Sequence, residues 1–117
     1  MNVLEKDRIK INDELIKLIK SKIKTDYKNS KGQPVESIEN ISILSIEYDD
    51  ENQDRTKIVV KEVIANTRLH MQFIEGSTSS HNTQFKNNKS IEFTINFSKD
   101  EVELVESDVK FVEQKLF

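Results

Sequence analysis

Cysteine is absent from this 117-residue chain, and several kinds of chemistry are excluded with it. Without thiols the protein has no disulfide, no cysteine nucleophile and no cysteine-ligated zinc or iron–sulfur site. Glycine occurs only twice, which excludes a glycine-rich phosphate-binding loop and a glycine-flanked serine nucleophile. A cysteine-free composition is typical of reducing compartments, and we expect a cytoplasmic protein.

Long hydrophobic runs are also missing. No stretch approaches 18 consecutive apolar residues, so the sequence predicts no membrane-spanning helix and no membrane partner. The first residues, Met1 to Asp7, carry charges where a signal peptide has its apolar run, and we therefore expect no secretion signal. The formal net charge of −3 is too small to indicate a class of partner by itself.

The chain is instead rich in lysine, isoleucine and asparagine. It contains 15 Lys, 14 Ile and 10 Asn against 3 Arg and a single Ala. These abundant residues have AT-rich codons, and the bias is typical of a low-GC bacterium or phage. The apolar residues are patterned rather than scattered, which predicts one folded domain over residues 1–117.

The clearest pattern lies at the C-terminal end, in residues 90–117. Large apolar residues alternate with polar ones from Ile91 to Phe97, which predicts a strand with Ile91, Phe93, Ile95 and Phe97 on one face. Ser98 and Glu101 have the spacing of a helix capping box. The apolar residues after them recur at three- and four-residue steps and predict a C-terminal helix; they are Val102, Val105, Val109, Val112 and Leu116.

The preceding segments predict one long helix followed by strands. Residues 2–28 carry one broad apolar face, formed by Leu4, Ile11, Leu15, Leu18, Ile19 and Ile23. Strands are predicted over 38–48, 57–65 and 67–74, with Asn66-Thr67 as a turn or, alternatively, as a kink in one long strand. In the first strand, Leu44, Ile46 and Tyr48 share one face. Ile41 and Ile43 have the opposite parity, which implies a bulge or a second covered face.

These elements together predict a two-layer α+β domain. Its order is helix, three or four antiparallel strands, helix (α-β-β-β-β-α), with both helices on one face of the sheet.

Residues 75–90 lack any periodicity and predict a long exposed loop. Connections of this length are commonly functional or mobile. Its isolated aromatic, Phe85, either packs against the sheet edge or acts as a partner-binding anchor, with Lys86, Lys89 and His81 beside it.

No residue pattern predicts catalysis, a metal site or a cofactor site. The two histidines, His70 and His81, are too few and too far apart for a metal motif. Asp50-x-Asn52-x-Asp54 lacks the glycine and the final glutamate of a calcium loop. The carboxylates crowd an open turn rather than a sheltered cleft, so we expect no enzyme activity.

Charge is segregated along the chain. Residues 1–31 hold nine bases and five acids, a balance of +4, whereas residues 32–117 hold nine bases and sixteen acids, a balance of −7. The Lys17–Lys31 face, with Lys17, Lys20, Lys24 and Lys28, could bind phosphates by counterion release. Scarce arginine and scarce polar-face aromatics argue against base recognition.

These observations favour a non-enzymatic protein-binding module with another protein as its partner. Small proteins of this kind include inhibitors, immunity proteins and anti-defence factors of phages or mobile elements. The alternative hypothesis is a nucleic-acid-binding accessory protein that uses the Lys17–Lys31 basic face.

Overall fold

The structure, a computed structural model, describes residues 5–28, 31–51, 56–72, 78–105 and 108–114. One helix precedes six strands: α1 (Glu5–Asp26), β1 (Val35–Tyr48), β2 (Lys57–Gln72), β3 (Thr78–Asn87), β4 (Ile91–Asn96), β5 (Glu101–Leu104) and β6 (Phe111–Glu113). All strand pairs are antiparallel and belong to one six-stranded sheet. The predicted α+β class with an antiparallel sheet is confirmed, but the predicted count of three or four strands is wrong.

Helix α1 forms because its apolar residues recur at four-residue steps and so share one face. Ile11, Leu15, Ile19 and Ile23 form a buried stripe that packs into the core of the sheet. Leu18 is partly buried beside this stripe, and Leu4 lies outside the described residues. After the helix the chain reverses at Gly32, whose φ of 75° is a left-handed conformation that glycine adopts without strain.

Strand β2 is continuous from Lys57 to Gln72, so the predicted turn at Asn66-Thr67 is wrong. Asn66 and Thr67 pair with β1 on one side and with β3 on the other. With no glycine to favour a two-residue turn, the backbone stays extended between two strands that satisfy its hydrogen bonds.

Strand β3 occupies most of the segment predicted to be a loop. Residues 78–86 pair with β2, from Thr78 opposite Gln72 to Lys86 opposite Ile64. Its side chains are polar on both faces except for Phe85, which reaches the core. Backbone pairing therefore holds this strand, and hydrophobic periodicity could not reveal it.

The predicted C-terminal helix over 98–116 is wrong, because the described part of this segment forms a hairpin turn and strands β5 and β6. Ser98 does not cap a helix: its Oγ donates to Asn96 Oδ1 at 2.7 Å, and Asn96 Oδ1 also accepts from the Lys99 N–H at 3.3 Å. Asp100 then adopts a left-handed φ of 51° and closes the turn. Phe97 lies in this turn and is 67% exposed, not on the inner face as predicted.

The middle of strand β2 contains an irregularity. Strands β3 and β4 run in the same direction along one side of β2, separated by residues 88–90. Opposite this gap, Lys61 is an extra residue in β2, because Glu62 pairs with Glu47 and Val60 pairs with Tyr48. The buried side of β2 changes parity there, from Ile58 and Val60 to Val63 and Ala65, as a β-bulge requires.

The Asn87 side chain bridges the backbone on both sides of this bulge. Its Oδ1 accepts from the Val63 N–H at 2.7 Å, and its Nδ2 donates to the Lys89 carbonyl at 2.7 Å and to the Lys61 carbonyl at 3.3 Å. The side chain is buried, so these backbone groups have little access to water as an alternative partner.

We expect Asn87→Ala to lower the free energy of unfolding by about 2–4 kcal/mol, because buried backbone groups lose their partner. Chemical denaturation measures this loss. Asn82→Ala, on an exposed asparagine of the same strand, should cost less than about 0.5 kcal/mol. Equal losses for the two variants would contradict this role of Asn87.

Bulges also decide which side chains of β1 face α1. An extra residue at Leu44 puts Ile41, Ile43, Ile46 and Tyr48 on the inner side, which confirms the bulge alternative. Leu44 itself is 52% exposed, so its predicted place beside Ile46 and Tyr48 is wrong. Such irregularities bend a strand and protect an edge strand from pairing with other chains.

Candidate functional site

The face of the sheet opposite α1 carries a continuous group of side chains from four strands, named here the outer face. In register, its first row is Ser45, Ile64, Lys86 and Val112, with Leu44 beside Ser45. The next rows are Ser42, Asn66 and Gln84; then Asn40, Arg68 and Asn82; then Ser37, His70 and Ser80. No described helix packs on these rows, because the buried stripe of α1 faces the other side.

The first row holds the solvent-accessible apolar side chains of the outer face, Leu44, Ile64 and Val112, named here the apolar row. Leu44 and Val112 are each 52% exposed, and Ile64 between them is half-buried. Lys86 extends from the same row to Glu62, with 3.2 Å between Nζ and Oε2, which balances its charge. Exposed apolar side chains from separate strands thus lie in one row, a feature typical of a contact surface.

The neighbouring rows are hydrogen-bonding but poor in charge. Gln84 Nε2 donates to Asn66 Oδ1 at 3.1 Å, and the side chains around them enclose an open depression of about 520 Å³. The one charged residue that lines it is Arg68, whose Nε lies 2.9 Å from Glu39 Oε2. In a chain with 33% charged residues, this surface therefore offers neutral amides and hydroxyls.

A second polar cluster lies on the inner side of the sheet, at the end of α1. Glu113 accepts from the Thr83 hydroxyl at 2.6 Å and from the Tyr27 hydroxyl at 3.1 Å, and His81 Nε2 lies 3.6 Å from it. Burial favours a higher pKa for Glu113, but the hydrogen bonds from Thr83, Tyr27 and His81 outweigh it and lower the pKa. Burial and the Glu113 carboxylate raise the pKa of Tyr27 to about 12.

These groups are directed at one another, so the cluster ties the end of α1 to β3 and β6. Because the pKa of Glu113 is lower in the folded state, its contacts stabilise the fold fully at pH values above the ordinary pKa of a carboxyl group. This stabilisation is lost as the pH falls through the folded-state pKa.

The residues predicted as one partner-binding site do not come together. Phe85 is 0% exposed, and its ring meets the Tyr27 ring edge-on with 5.0 Å between centroids. His81 is on the inner side beside Glu113, Lys86 is on the outer face, and Lys89 is exposed in the β3–β4 connection. Of these four residues, only Lys86 contributes to the outer face.

The lysines of the predicted basic face are on the exposed side of α1 and just after its end. Lys17, Lys20 and Lys24 lie on the side of α1 opposite the buried stripe, and Lys28 follows directly after the helix; all four are exposed. Lys17 Nζ is 3.4 Å from Glu14. Among the residues that the structure describes, no ion pair involves Lys20, Lys24 or Lys28.

Sequence reasoning missed the apolar row of the outer face. Val112 was predicted on a helix, and Leu44 on the inner side of its strand. The bulge that turns Leu44 outward had one signal in the sequence, the conflicting parity of Ile41 and Ile43.

Within the described ranges, no group of three or more histidine, aspartate or glutamate side chains is placed to hold a metal ion. Part of the Asp50–Asp54 segment lies outside those ranges. No helix in the described ranges is both long enough and apolar enough to cross a membrane.

No protein-family model matches the chain, and no curated protein or solved structure matches it either. Its function is therefore inferred from the side chains and surfaces described above.

Proposed function

We propose that this protein is a non-enzymatic protein-binding module whose partner docks on the outer face. One observation carries the proposal: the row of Leu44, Ile64 and Val112 lies beside rows of neutral amides and hydroxyls. Protein–protein interfaces combine a contact centre depleted in charge with hydrogen-bonding groups around it. The expected partner surface is likewise apolar at its centre and rich in uncharged hydrogen-bonding groups.

The charges on the outer face support a neutral partner rather than a strongly charged one. Arg68 is held by Glu39, and Lys86 is held by Glu62. Charges that are already paired steer a partner weakly, so burial of the apolar row would supply most of the affinity.

The non-enzymatic part of the proposal is supported by the Tyr27–Glu113 cluster. The pKa values of Tyr27 and Glu113 are both shifted, yet each group that hydrogen-bonds to them is another member of the cluster. The depression on the outer face is open, and the described residues that line it include no histidine and no carboxylate.

We further propose that the module acts as a small inhibitor, immunity protein or anti-defence factor of a phage or mobile element. The codon-biased composition, with 15 Lys and 14 Ile, supports this origin. A cytoplasmic location is part of the same proposal and is supported by the cysteine-free sequence.

The experiment is affinity capture from the native host with the double variant Leu44→Glu/Val112→Glu. Two carboxylates in the apolar row should reduce recovery of the partner at least tenfold, because burying each unpaired charge costs more than about 1.4 kcal/mol. Quantitative mass spectrometry measures the recovery. Both substituted side chains are half exposed, so the variant should keep its fold.

The matched control is Ile9→Glu/Phe97→Glu, which also replaces two exposed apolar side chains and changes the net charge equally. Ile9 lies on α1 and Phe97 in the β4–β5 turn, both away from the outer face. Capture should be unchanged by this control. Loss of the partner with the control but not with the outer-face variant would refute the assignment of the surface.

A further inference from the structure

The basic side chains of α1 form a narrow exposed ridge, named here the lysine ridge: Lys17, Lys20, Lys24 and Lys28. At 100° per residue, the three helical lysines lie within about 60° of one another around the helix axis. The buried stripe from Ile11 to Ile23 occupies the opposite side of the helix. The three helical lysines therefore point away from the sheet.

Most of the charge on the lysine ridge is not neutralised by the described residues: Lys17 lies 3.4 Å from Glu14, but no described ion pair involves Lys20, Lys24 or Lys28. Residues 17–28 contain five lysines and one acid, Asp26, a balance of +4 in a chain of net charge −3. The lysines near the start of α1 differ, since Lys6 and Lys10 both contact Asp100, at 3.1 and 3.5 Å. Positive potential is therefore concentrated on the second half of the helix.

From this geometry we infer that the lysine ridge is a second binding site, for the phosphate backbone of double-stranded nucleic acid. This function is separate from protein binding at the outer face. Ammonium groups along an exposed helix neutralise phosphates and release counterions, which supplies affinity without sequence preference.

The surroundings of the ridge distinguish a duplex from other polyanions. A membrane-binding helix buries its own apolar face in lipid, but the apolar stripe of α1 is already enclosed in the core. Single strands are bound by stacking on exposed aromatic rings. Tyr27, the aromatic residue beside the ridge, packs on Phe85 and donates its hydroxyl to Glu113.

The lysine ridge and the outer face lie on opposite sides of the molecule, because α1 covers the inner face of the sheet. A duplex on the ridge would leave the outer face open. Protein and nucleic acid can therefore be bound at the same time, as in an adaptor.

The test is fluorescence anisotropy with a 20-base-pair DNA duplex of mixed sequence. For about four phosphate contacts, log K should fall with log salt with a slope of about −3 to −4. The triple variant Lys20→Gln/Lys24→Gln/Lys28→Gln should bind at least tenfold more weakly at about 25 mM salt and have a flatter slope. Glutamine has nearly the helix propensity of lysine, so α1 should persist.

The control is Lys57→Gln/Lys61→Gln/Lys89→Gln, which removes the same charge from the sheet and its connections. It should bind the duplex like the unmodified protein, and so should Leu44→Glu/Val112→Glu, which separates this site from the protein-binding one. Absence of duplex binding at about 25 mM salt would overturn the inference. An equal loss in both lysine variants, or binding to vesicles of 30% anionic phospholipid without duplex binding, would also overturn it.

Discussion

Phe93→Asp is expected to abolish the cooperative unfolding transition of this protein. Phe93 is fully buried on the inner side of β4, where it pairs with Ile58 of β2 and Leu104 of β5. Loss of a buried phenylalanine ring alone costs about 3–5 kcal/mol. A carboxylate without a partner adds a desolvation cost, and the sum approaches the total stability of about 5–15 kcal/mol of an ordinary domain. Circular dichroism during heating measures the transition.

The matched control is Glu92→Lys, one residue earlier on the same strand. Glu92 is half-exposed and lies 3.3 Å from Lys57, an ion pair of the kind worth about 0–1 kcal/mol. The control should therefore keep a cooperative transition with a loss below about 1 kcal/mol. Comparable destabilisation by both variants would mean that the inner face of β4 is wrongly assigned.

Phe85→Ala is expected to lower the free energy of unfolding by about 3–5 kcal/mol. Its ring is enclosed between β2 and the end of α1, opposite Ala65 and edge-on to Tyr27. Removing it leaves a cavity and ends an aromatic contact that joins the helix to β3. Denaturant titration, monitored by circular dichroism, measures the change.

Leu44→Ala is the comparison for Phe85→Ala, because Leu44 is half exposed on the outer face. Its cost in unfolding free energy should stay below about 1 kcal/mol. If Phe85→Ala instead left the stability unchanged and reduced partner capture, Phe85 would be a presented anchor rather than a core residue.

Helix α1 and strand β4 could be predicted from the sequence because each has one face against the same core. In α1, the buried residues from Ile11 to Ile23 follow a four-residue spacing. In β4, the buried Ile91 and Phe93 follow a two-residue spacing. In these elements, the local pattern and the three-dimensional packing agree.

The C-terminal strands could not be predicted because an interruption imitated a helix. Val102 and Leu104 alternate in β5, and Val109 and Phe111 alternate around the start of β6. The second pair follows the first at a spacing of seven residues, and seven residues are also about two turns of a helix. Periodicity alone cannot separate the two cases, although the β-branched valines favour strands.

The outer face could not be predicted, because its residues come from separate strands and become neighbours only through the register of the sheet. The pairing of four strands brings Leu44, Ile64 and Val112 into one row, and β3, which lies between Ile64 and Val112, has only polar residues on that face. The lysine ridge, by contrast, could be predicted from the sequence, because most of it follows the period of a single helix.

Site-specific photocrosslinking in the native host tests most directly whether a protein partner docks on the outer face. A benzophenone amino acid would replace Val112 on the outer face or, as the control, the more exposed Phe97 in the β4–β5 turn. Docking on the outer face predicts a defined adduct with one protein from position 112 and none from position 97. An adduct from position 97 with none from position 112 would contradict it.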